Sequence, residues 1–246
     1  MDHKEYIREV ENADVAILMI HGILGTPRHF DRFLSLIPKE WSVYNILLHG
    51  HGKTVSDFAA SSMEKWKKQV DEIAEKLCSK YKHVIIMGHS MGTLLAIRTA
   101  VKYPDKIKNM ILLAVPMKVF VKPLKNLGSV KLALGFGKRN SELMEVVQST
   151  HGTAPDKRVW KYLGYIPRFL ELFGLIGETR KLLPELKTKS YVFQSREDEL
   201  VAYSSKRYLE NHDYIVYDEL INSRHYYYDN EDMDRLIKRI GEILSC

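Results

Sequence analysis

The sequence predicts an α/β fold in which a mostly parallel central sheet carries helices on both of its faces. Three observations support this fold class: strand-length apolar runs recur along the chain, amphipathic helical periods lie between them, and one long segment interrupts the alternation. Strands that are buried on both faces are apolar throughout because neither face meets water. A chain of 246 residues has the usual size of one such domain, so we expect a single domain over residues 1–246.

Six apolar runs predict the strands of the sheet. They lie at residues 15–20, 43–48, 84–87, 110–113, 191–193 and 214–217. The first run, Val15-Ala16-Ile17-Leu18-Met19-Ile20, contains no polar residue, which is typical of a central strand. The alternation of these runs with helical segments favours parallel strands joined by crossover helices.

The helices are predicted from apolar residues at spacings of three and four. Between the second and third runs these residues are Met63, Trp66, Val70, Ile73, Leu77 and Tyr81. Ser61 and Glu64 have the spacing of a capping box at the start of this helix. Further helices are predicted directly after Ser90, ending before Pro104, and at residues 233–244.

Residues 116–187 contain no convincing strand. Short amphipathic pieces are separated there by glycine and proline, at residues 124–128, 132–137, 141–147 and 166–175. An insertion of this length between two core strands is too long for a structureless loop. We therefore expect a helical cap, inserted within the single domain, over the edge at which the strands end.

Composition and charge are those of an ordinary globular protein, with 45% hydrophobic and 28% charged residues. The net charge of +6 comes from lysines interspersed with acids, which is typical of a solvated surface and not of a nucleic-acid interface. The first five residues carry acid and base where a secretory signal would have an apolar run, so we expect none. No apolar stretch approaches the roughly 18 residues that span a bilayer. We expect a cytoplasmic protein with no stable membrane association, in which Cys78 and Cys246 are free thiols.

A nucleophile motif follows the third apolar run. The sequence Gly88-His89-Ser90-Met91-Gly92 fits G-x-S-x-G between a predicted strand and a predicted helix, the context in which this motif presents a catalytic serine. The turn is so tight that glycine is needed on both sides. Such a turn exposes the Ser90 hydroxyl and points the positive end of the helix, with the Met91 amide, at the attacked carbonyl. We therefore predict Ser90 as the nucleophile.

A second loop of interest, His21-Gly22-Ile23-Leu24-Gly25, follows the first apolar run. Acyl transfer needs backbone N–H donors at the place where the oxyanion of the tetrahedral intermediate forms. We expect the amides of Ile23 and Met91 to be these donors. Two roles are open for His21: a second base, or, as we favour, a residue whose hydrogen bond holds the loop.

These motifs resemble the α/β-hydrolase family, in particular its bacterial carboxylesterase and monoacylglycerol lipase group. The resemblance is carried by His21-Gly22 with Gly25-Thr26-Pro27, by Gly50-His51-Gly52 and by the Ser90 motif. It implies the α/β-hydrolase fold, a Ser–Asp–His catalytic triad, ester hydrolysis through an acyl-enzyme and no cofactor. It also implies that His49 and His51 lie in a structural crossover loop, so we expect no metal site.

The triad acid is expected in the loop after the fifth run, because the family order is nucleophile, acid, histidine. This loop resembles the family pattern G-x-x-D-x-V-V, which implies Asp198 as the acid. The chain departs from the pattern in two places, where Ser195 replaces the glycine and Ala202 replaces a following proline. Glu197 and Glu199 flank the predicted acid and remain alternatives one residue away.

Three histidines after the motif serine are candidates for the base. His151 lies in the predicted cap, and His212 precedes the sixth run, which places it at the far end of the sheet. His225 follows the sixth run in the loop before the last helix, at the edge where Ser90 is expected. The sequence Ser223-Arg224-His225 also resembles the family pattern S-G-H. We therefore predict His225 as the base.

The cap is rich in large apolar side chains, some of which we expect to line an acyl pocket. Phe120, Phe136 and Trp160 are the candidates for substrate binding. The resemblance implies a small-molecule partner, either a short- to medium-chain acyl ester or a monoacylglycerol. An acyl thioesterase or amidase would use the same triad, and the fold can also serve as a small-molecule binding module. A pure binding protein has no need of a positioned base, so we favour the enzyme.

Overall fold

The computed structural model describes residues 3–119, 152–154 and 156–245. The strands within these residues are β1 (Tyr6–Arg8), β2 (Val15–Ile20), β3 (Ser42–Ile46), β4 (Lys53–Thr54), β5 (His83–His89), β6 (Ile107–Leu113), β7 (Thr153–Ala154), β8 (Lys189–Ser195) and β9 (Ile215–Leu220). In this described part, seven strands form the central sheet in the order β1-β3-β2-β5-β6-β8-β9. Only β1 is antiparallel to its neighbour, so the prediction of a mostly parallel sheet is confirmed.

Five α-helices are described in the same residues. They are α1 (Val55–Ala59), α2 (Met63–Lys80), α3 (Met91–Lys102), α4 (Tyr165–Leu182) and α5 (Asn230–Leu244). Short 3₁₀ helices lie at Pro27–Leu36, Val159–Gly164, Leu183–Glu185 and Tyr203–Tyr208. None of the helices in the described part of the chain is long and apolar enough to cross a membrane.

The start of α2 differs from the prediction by one residue. The Ser62 side chain, not that of Ser61, accepts the N–H of Lys65 and caps the helix. Ser61 is buried, and its hydroxyl donates to the carbonyl oxygen of His49 at 2.9 Å. The predicted capping box of Ser61 and Glu64 is therefore wrong, because tertiary contact with the loop after β3 uses the Ser61 hydroxyl.

The sheet separates two hydrophobic layers. Along β2, Ala16, Leu18 and Ile20 face the layer that contains α2, α3 and α4. Ile17 and Met19 face the opposite layer, which contains the 3₁₀ helix Pro27–Leu36 and α5. Successive strand residues point to opposite faces, so a strand with a layer on each side has to be apolar at every position.

Two features of the fold were not predicted. β1 is a short, largely exposed edge strand, and its three residues carry no apolar run that sequence reasoning could detect. β4 and β7 form a separate two-stranded parallel pair, which joins residues about a hundred positions apart.

The predicted cap, residues 116–187, is described only in part, and its limits stay a prediction. Residues 120–151 and 155 lie outside the described residues. In the described part, α4 packs its buried face against the layer that contains α2 and α3. The residues of this face are Leu172, Leu175 and Ile176.

The parallel strands end at one edge of the sheet. The loops that follow β2, β5, β8 and β9 therefore meet there, although they are far apart in the sequence. These loops contain every predicted catalytic and oxyanion residue.

Candidate active site

Ser90 occupies a strained turn between β5 and α3. Its φ of +50° is a conformation that residues with side chains rarely adopt. The Ser90 N–H donates to the Leu113 carbonyl oxygen at 2.9 Å, which ties the turn to the next strand. A Cβ on Gly92 would overlap the Ile20 carbonyl oxygen, and one on Gly88 would lie 2.9 Å from the Gly92 backbone. Only glycine on both sides lets strand and helix approach closely enough to hold the serine in this conformation.

The structure brings Ser90, His225 and Asp198 together. The Nε2 atom of His225 lies 3.1 Å from the Ser90 Oγ, and its Nδ1 lies 2.8 Å from Oδ2 of Asp198. The other carboxylate oxygen, Oδ1, accepts the N–H groups of Leu200 and Val201 at 2.8 and 2.7 Å. Because a carboxylate faces Nδ1, that nitrogen carries the proton and Nε2 is left as an acceptor towards the serine hydroxyl. All three triad side chains are nearly inaccessible to solvent.

Asp232 and Ser195 help to hold the loop that carries His225. The Asp232 carboxylate, 3% exposed, accepts the backbone N–H groups of residues 221–223 and the hydroxyl of Ser223. The hydroxyl of Ser195 donates to the Ser223 carbonyl oxygen. Ser195 stands where the family pattern has glycine, so this departure adds a hydrogen bond between the acid loop and the histidine loop. Sequence reasoning missed Asp232, since an acid in the first turn of a helix reads as an ordinary helix-dipole partner.

The surroundings of His225 raise the pKa of its imidazole. Burial lowers the pKa of His225, but the charge and hydrogen bond of Asp198 together with the charge of Glu199 raise it above its usual value overall. The backbone N–H of His225 also donates to Oε2 of Glu199 at 3.2 Å. Asp198 thus accepts a hydrogen bond from the His225 ring, and Glu199 accepts one from the His225 backbone. Of the three adjacent acids considered from the sequence, only the middle one bonds the imidazole.

The loop after β2 holds the peptide that contains the Ile23 amide and passes close to Ser90. The Gly22 carbonyl oxygen accepts the Nδ1–H of His21 at 2.9 Å and the N–H of Gly25 at 3.0 Å. This carbonyl and the Ile23 N–H belong to one planar trans peptide, so fixing the oxygen fixes the opposite direction of the N–H. A Cβ on Gly22 would lie 2.9 Å from the Ser90 Cβ, which shows how closely the loop approaches Ser90.

Met91 is the first residue of α3. Its amide, like the others in a first helical turn, has no partner within the helix and carries part of the positive helix dipole. The loop with Gly22 and the first residue of α3 thus both lie against Ser90, and the Ile23 and Met91 amides stay the candidate oxyanion donors.

His21 has the structural contacts expected of a residue that holds the loop. While Nδ1 donates to Gly22, the Nε2 atom accepts the N–H of Leu48 at 3.0 Å. Burial lowers the pKa of His21 to about 4. Both ring nitrogens are occupied in one neutral tautomer, so the ring has no free lone pair for a substrate proton.

A second buried histidine, His89, was not singled out in the sequence and holds the backbone of the predicted base. The Nε2–H of His89 donates to the carbonyl oxygen of His225 at 3.0 Å. His89 stacks on His29, with ring centroids 3.7 Å apart, and His29 bonds the hydroxyl of Tyr228. Burial lowers the pKa of His89 well below its usual value, and the neighbouring His29 lowers it further. His89, the residue before Ser90 in the motif, thus links the turn that carries Ser90 to the loop that carries His225.

The substrate-binding candidates remain predictions. Phe120 and Phe136 lie outside the described residues. Trp160 lies in the 3₁₀ helix Val159–Gly164 with 64% of its surface exposed. Within the described residues, no cluster of three or more histidine, cysteine, aspartate or glutamate side chains could hold a metal ion.

Comparison with known proteins places the chain in a family. Residues 11–215 match the model of the family Hydrolase_4, described as serine aminopeptidase S33. The chain belongs to this family. This Hydrolase_4 member is 24% identical over 196 residues, 78% of its own length and 73% of the relative's, to the thermostable monoacylglycerol lipase of Bacillus sp. strain H-257.

Solved structures show the same fold at low identity. A structure reported with the metagenome-derived lipolytic enzymes LipS and LipT has a TM-score of 0.71 at 18% identity, covering 99% of this chain and 98% of the other. The monoacylglycerol lipase of Paleococcus ferrophilus has a TM-score of 0.68 at 20% identity, with the same coverage. The predicted α/β-hydrolase fold is confirmed.

The Hydrolase_4 member is an enzyme, a hydrolase similar to lipases and esterases. The alternative of a non-catalytic binding module is therefore set aside.

Proposed function

We propose that the chain is a serine carboxylic-ester hydrolase that works through an acyl-enzyme. The observation that carries the proposal is the continuous path from the Ser90 hydroxyl through the His225 imidazole to the Asp198 carboxylate, at 3.1 and 2.8 Å. A serine hydroxyl is a weak nucleophile until a base accepts its proton during attack. This arrangement supplies such a base and keeps it in the required tautomer.

The chemistry follows from these positions. Nε2 of His225 takes the proton of Ser90 as Oγ attacks the ester carbonyl, and the Ile23 and Met91 amides stabilise the oxyanion. Asp198 stabilises the imidazolium, which then donates the proton to the departing alkoxide, leaving an ester on Ser90. Water, deprotonated by the same nitrogen, attacks this ester. The bond between the acyl carbon and Oγ then breaks, the imidazolium returns its proton to Oγ, and the carboxylic acid leaves. His225 therefore accepts and returns one proton in each half of the cycle.

The substrate class is proposed from the relatives. The curated relative from Bacillus is a monoacylglycerol lipase, and the solved structure from Paleococcus ferrophilus has the same description. Their similarity supports short- to medium-chain acyl esters or monoacylglycerols as substrates of this chain. The apolar character of the predicted cap is consistent with an acyl pocket.

A fluorophosphonate probe tests the nucleophile. We expect one probe to attach per active site of the wild-type protein, and Ser90→Ala to abolish both labelling and ester hydrolysis. Ser79→Ala is the matched control, since Ser79 is an exposed serine at the end of α2. Labelling that persists in Ser90→Ala, or a wild-type protein that hydrolyses esters without labelling, would refute the proposal.

A substrate panel tests the leaving group. It contains nitrophenyl esters of increasing chain length, a monoacylglycerol, an acyl thioester and an aminoacyl nitroanilide, the last because the family description names an aminopeptidase. We expect the highest kcat/KM with the oxygen esters and an initial burst of nitrophenol that matches the enzyme concentration. A higher kcat/KM for the thioester or the anilide would replace the ester proposal with that activity.

A further inference from the structure

A short segment of the predicted cap touches the loop that contains Ile23. We call residues 152–154 the strap. The Gly152 N–H donates to the Leu24 carbonyl oxygen at 2.6 Å, and the Gly152 carbonyl oxygen accepts the N–H of Gly52 at 2.7 Å. The two residues that follow form β7 and pair with β4. The strap is therefore bonded through its backbone on both sides, to the loop after β2 and to the loop after β3.

The contact with Leu24 is linked to the Ile23 amide through two peptide units that a hydrogen bond joins. The Leu24 carbonyl shares a peptide with the Gly25 N–H, which donates to the Gly22 carbonyl oxygen at 3.0 Å. The Gly22 carbonyl in turn shares a peptide with the Ile23 N–H. Because each unit is planar and trans, an oxygen held at one end fixes the direction of the N–H at the other. Hydrogen bonds in such a chain also polarise one another, which strengthens the last donor.

Space at the contact admits only glycine. A Cβ on Gly152 would overlap the Gly25 carbonyl oxygen and would lie 3.1 Å from the Leu24 carbonyl oxygen. Both of these atoms are backbone atoms of the loop after β2. A side chain at residue 152 would therefore move this loop, which has no flexible side chain there that could give way.

The strap is itself anchored to α4. The Tyr165 hydroxyl donates to Oγ1 of Thr153 at 3.0 Å. Thr153 is 6% exposed, and the Tyr165 ring packs on Phe58 with centroids 4.6 Å apart. The position of Gly152 therefore follows that of the buried Tyr165 at the start of α4.

We propose that Gly152 is a positioning residue for the oxyanion hole. Through the Leu24 carbonyl it holds the peptide chain that aims the Ile23 amide, so the predicted cap contributes to transition-state stabilisation as well as to substrate enclosure. The proposal rests on the proposed function, in which the Ile23 amide is an oxyanion donor. It assigns a task to a residue that carries no side chain and touches no reacting atom.

The test compares Gly152→Ala with Gly174→Ala. Gly174 lies in α4, in the same predicted cap, and a Cβ there meets no atom within 4 Å. We expect Gly152→Ala to lower kcat about tenfold, since loss of a whole oxyanion donor costs about 10²–10³ and this donor is displaced and not removed. KM should stay near its wild-type value, and inhibition by a trifluoromethyl ketone, which forms a tetrahedral oxyanion on the serine, should weaken by a similar factor.

The possible outcomes separate this proposal from the proposed function. If the wild-type protein neither labels nor hydrolyses esters, the proposed function fails. If it does both while Gly152→Ala matches Gly174→Ala in kcat and in ketone inhibition, only the role of Gly152 is refuted. A loss confined to KM also refutes it.

Thermal denaturation would show whether Gly152→Ala folds. If it does not fold, a second variant tests the proposal. Thr153→Val keeps the shape of the side chain and removes the acceptor of the Tyr165 hydroxyl. A lowered kcat and weaker ketone inhibition at unchanged KM support the proposal, and unchanged kcat overturns it.

Discussion

Replacing Asp198 by asparagine should disable the base by reversing its tautomer. In the wild-type protein Oδ1 of Asp198 accepts two backbone N–H groups, from Leu200 and Val201. An asparagine has one acceptor oxygen, and these two buried donors require it to stay at the Oδ1 position, because an NH₂ group cannot accept from them. The NH₂ group then faces Nδ1 of His225 and donates to it. The ring proton moves to Nε2, which can no longer accept the proton of Ser90.

The size of the effect follows from this reversal. An acid-to-amide change in a serine protease triad, which leaves the geometry intact and imposes the wrong tautomer, lowers kcat by about 10⁴. At about 1.4 kcal/mol for each factor of ten, this is about 5 kcal/mol of lost transition-state stabilisation. The two backbone hydrogen bonds remain, so we expect the thermal midpoint of Asp198→Asn to change by only a few degrees.

Hydrolysis of a nitrophenyl ester measures this effect, with kcat determined for wild-type and variant at neutral pH. Glu197→Gln is the matched control, because it makes the same chemical change one residue away at an exposed acid. We expect it to keep kcat near the wild-type value. The tautomer argument is refuted if Asp198→Asn keeps more than about a tenth of the wild-type kcat, or if Glu197→Gln loses as much.

Three further predictions follow from the structure. Glu199→Gln keeps an acceptor for the backbone N–H of His225 but removes a charge that raises the pKa of His225. The acid limb of the pH profile of kcat/KM should therefore move to lower pH. An acid limb that does not move would contradict this. Gly92→Ala should lower the unfolding free energy by at least about 3 kcal/mol or prevent folding, because its Cβ overlaps the Ile20 carbonyl oxygen. The control Gly241→Ala on α5 should be neutral. Equal thermal midpoints of the two variants would show the reasoning to be wrong. Urea unfolding should show the unfolding free energy falling by about 3 kcal/mol from pH 7 to 5.5. Three histidines whose pKa burial lowers in the folded protein take up protons near pH 6.5 only when the chain unfolds, and the raised pKa of His225 offsets only part of this effect. These three are His21, His29 and His89. An unfolding free energy that stays constant over this range would contradict the prediction.

Local patterns were sufficient for the elements of the core. The apolar run at residues 15–20 became β2 without a change of limits, and the helix predicted at 233–244 is the larger part of α5. A strand covered on both faces and a helix with one apolar face each carry their burial pattern in a few consecutive residues. β1 carries no such pattern, because its pairing with β3 places it at an exposed edge.

The candidate site was foreseen in its residues and only partly in its contacts. The motif around Ser90 is local, and the structure shows its strained φ and its crowded glycines. The supporting groups carry no local signal. Asp232 and Ser195 read as ordinary polar residues until the fold places them on the backbone of the histidine loop.

The sequence by itself determined the order of the core elements and named the candidate catalytic side chains, since both depend on periodicities and motifs within short windows. Only the tertiary structure decided which acid of three adjacent ones bonds the imidazole, that His21 occupies both its nitrogens within the fold, and that Gly152 reaches the loop after β2. Hydrogen bonds require donor and acceptor atoms within about 3 Å. Between residues far apart in the sequence, that condition is set by the packing of the whole chain and not by any segment of it.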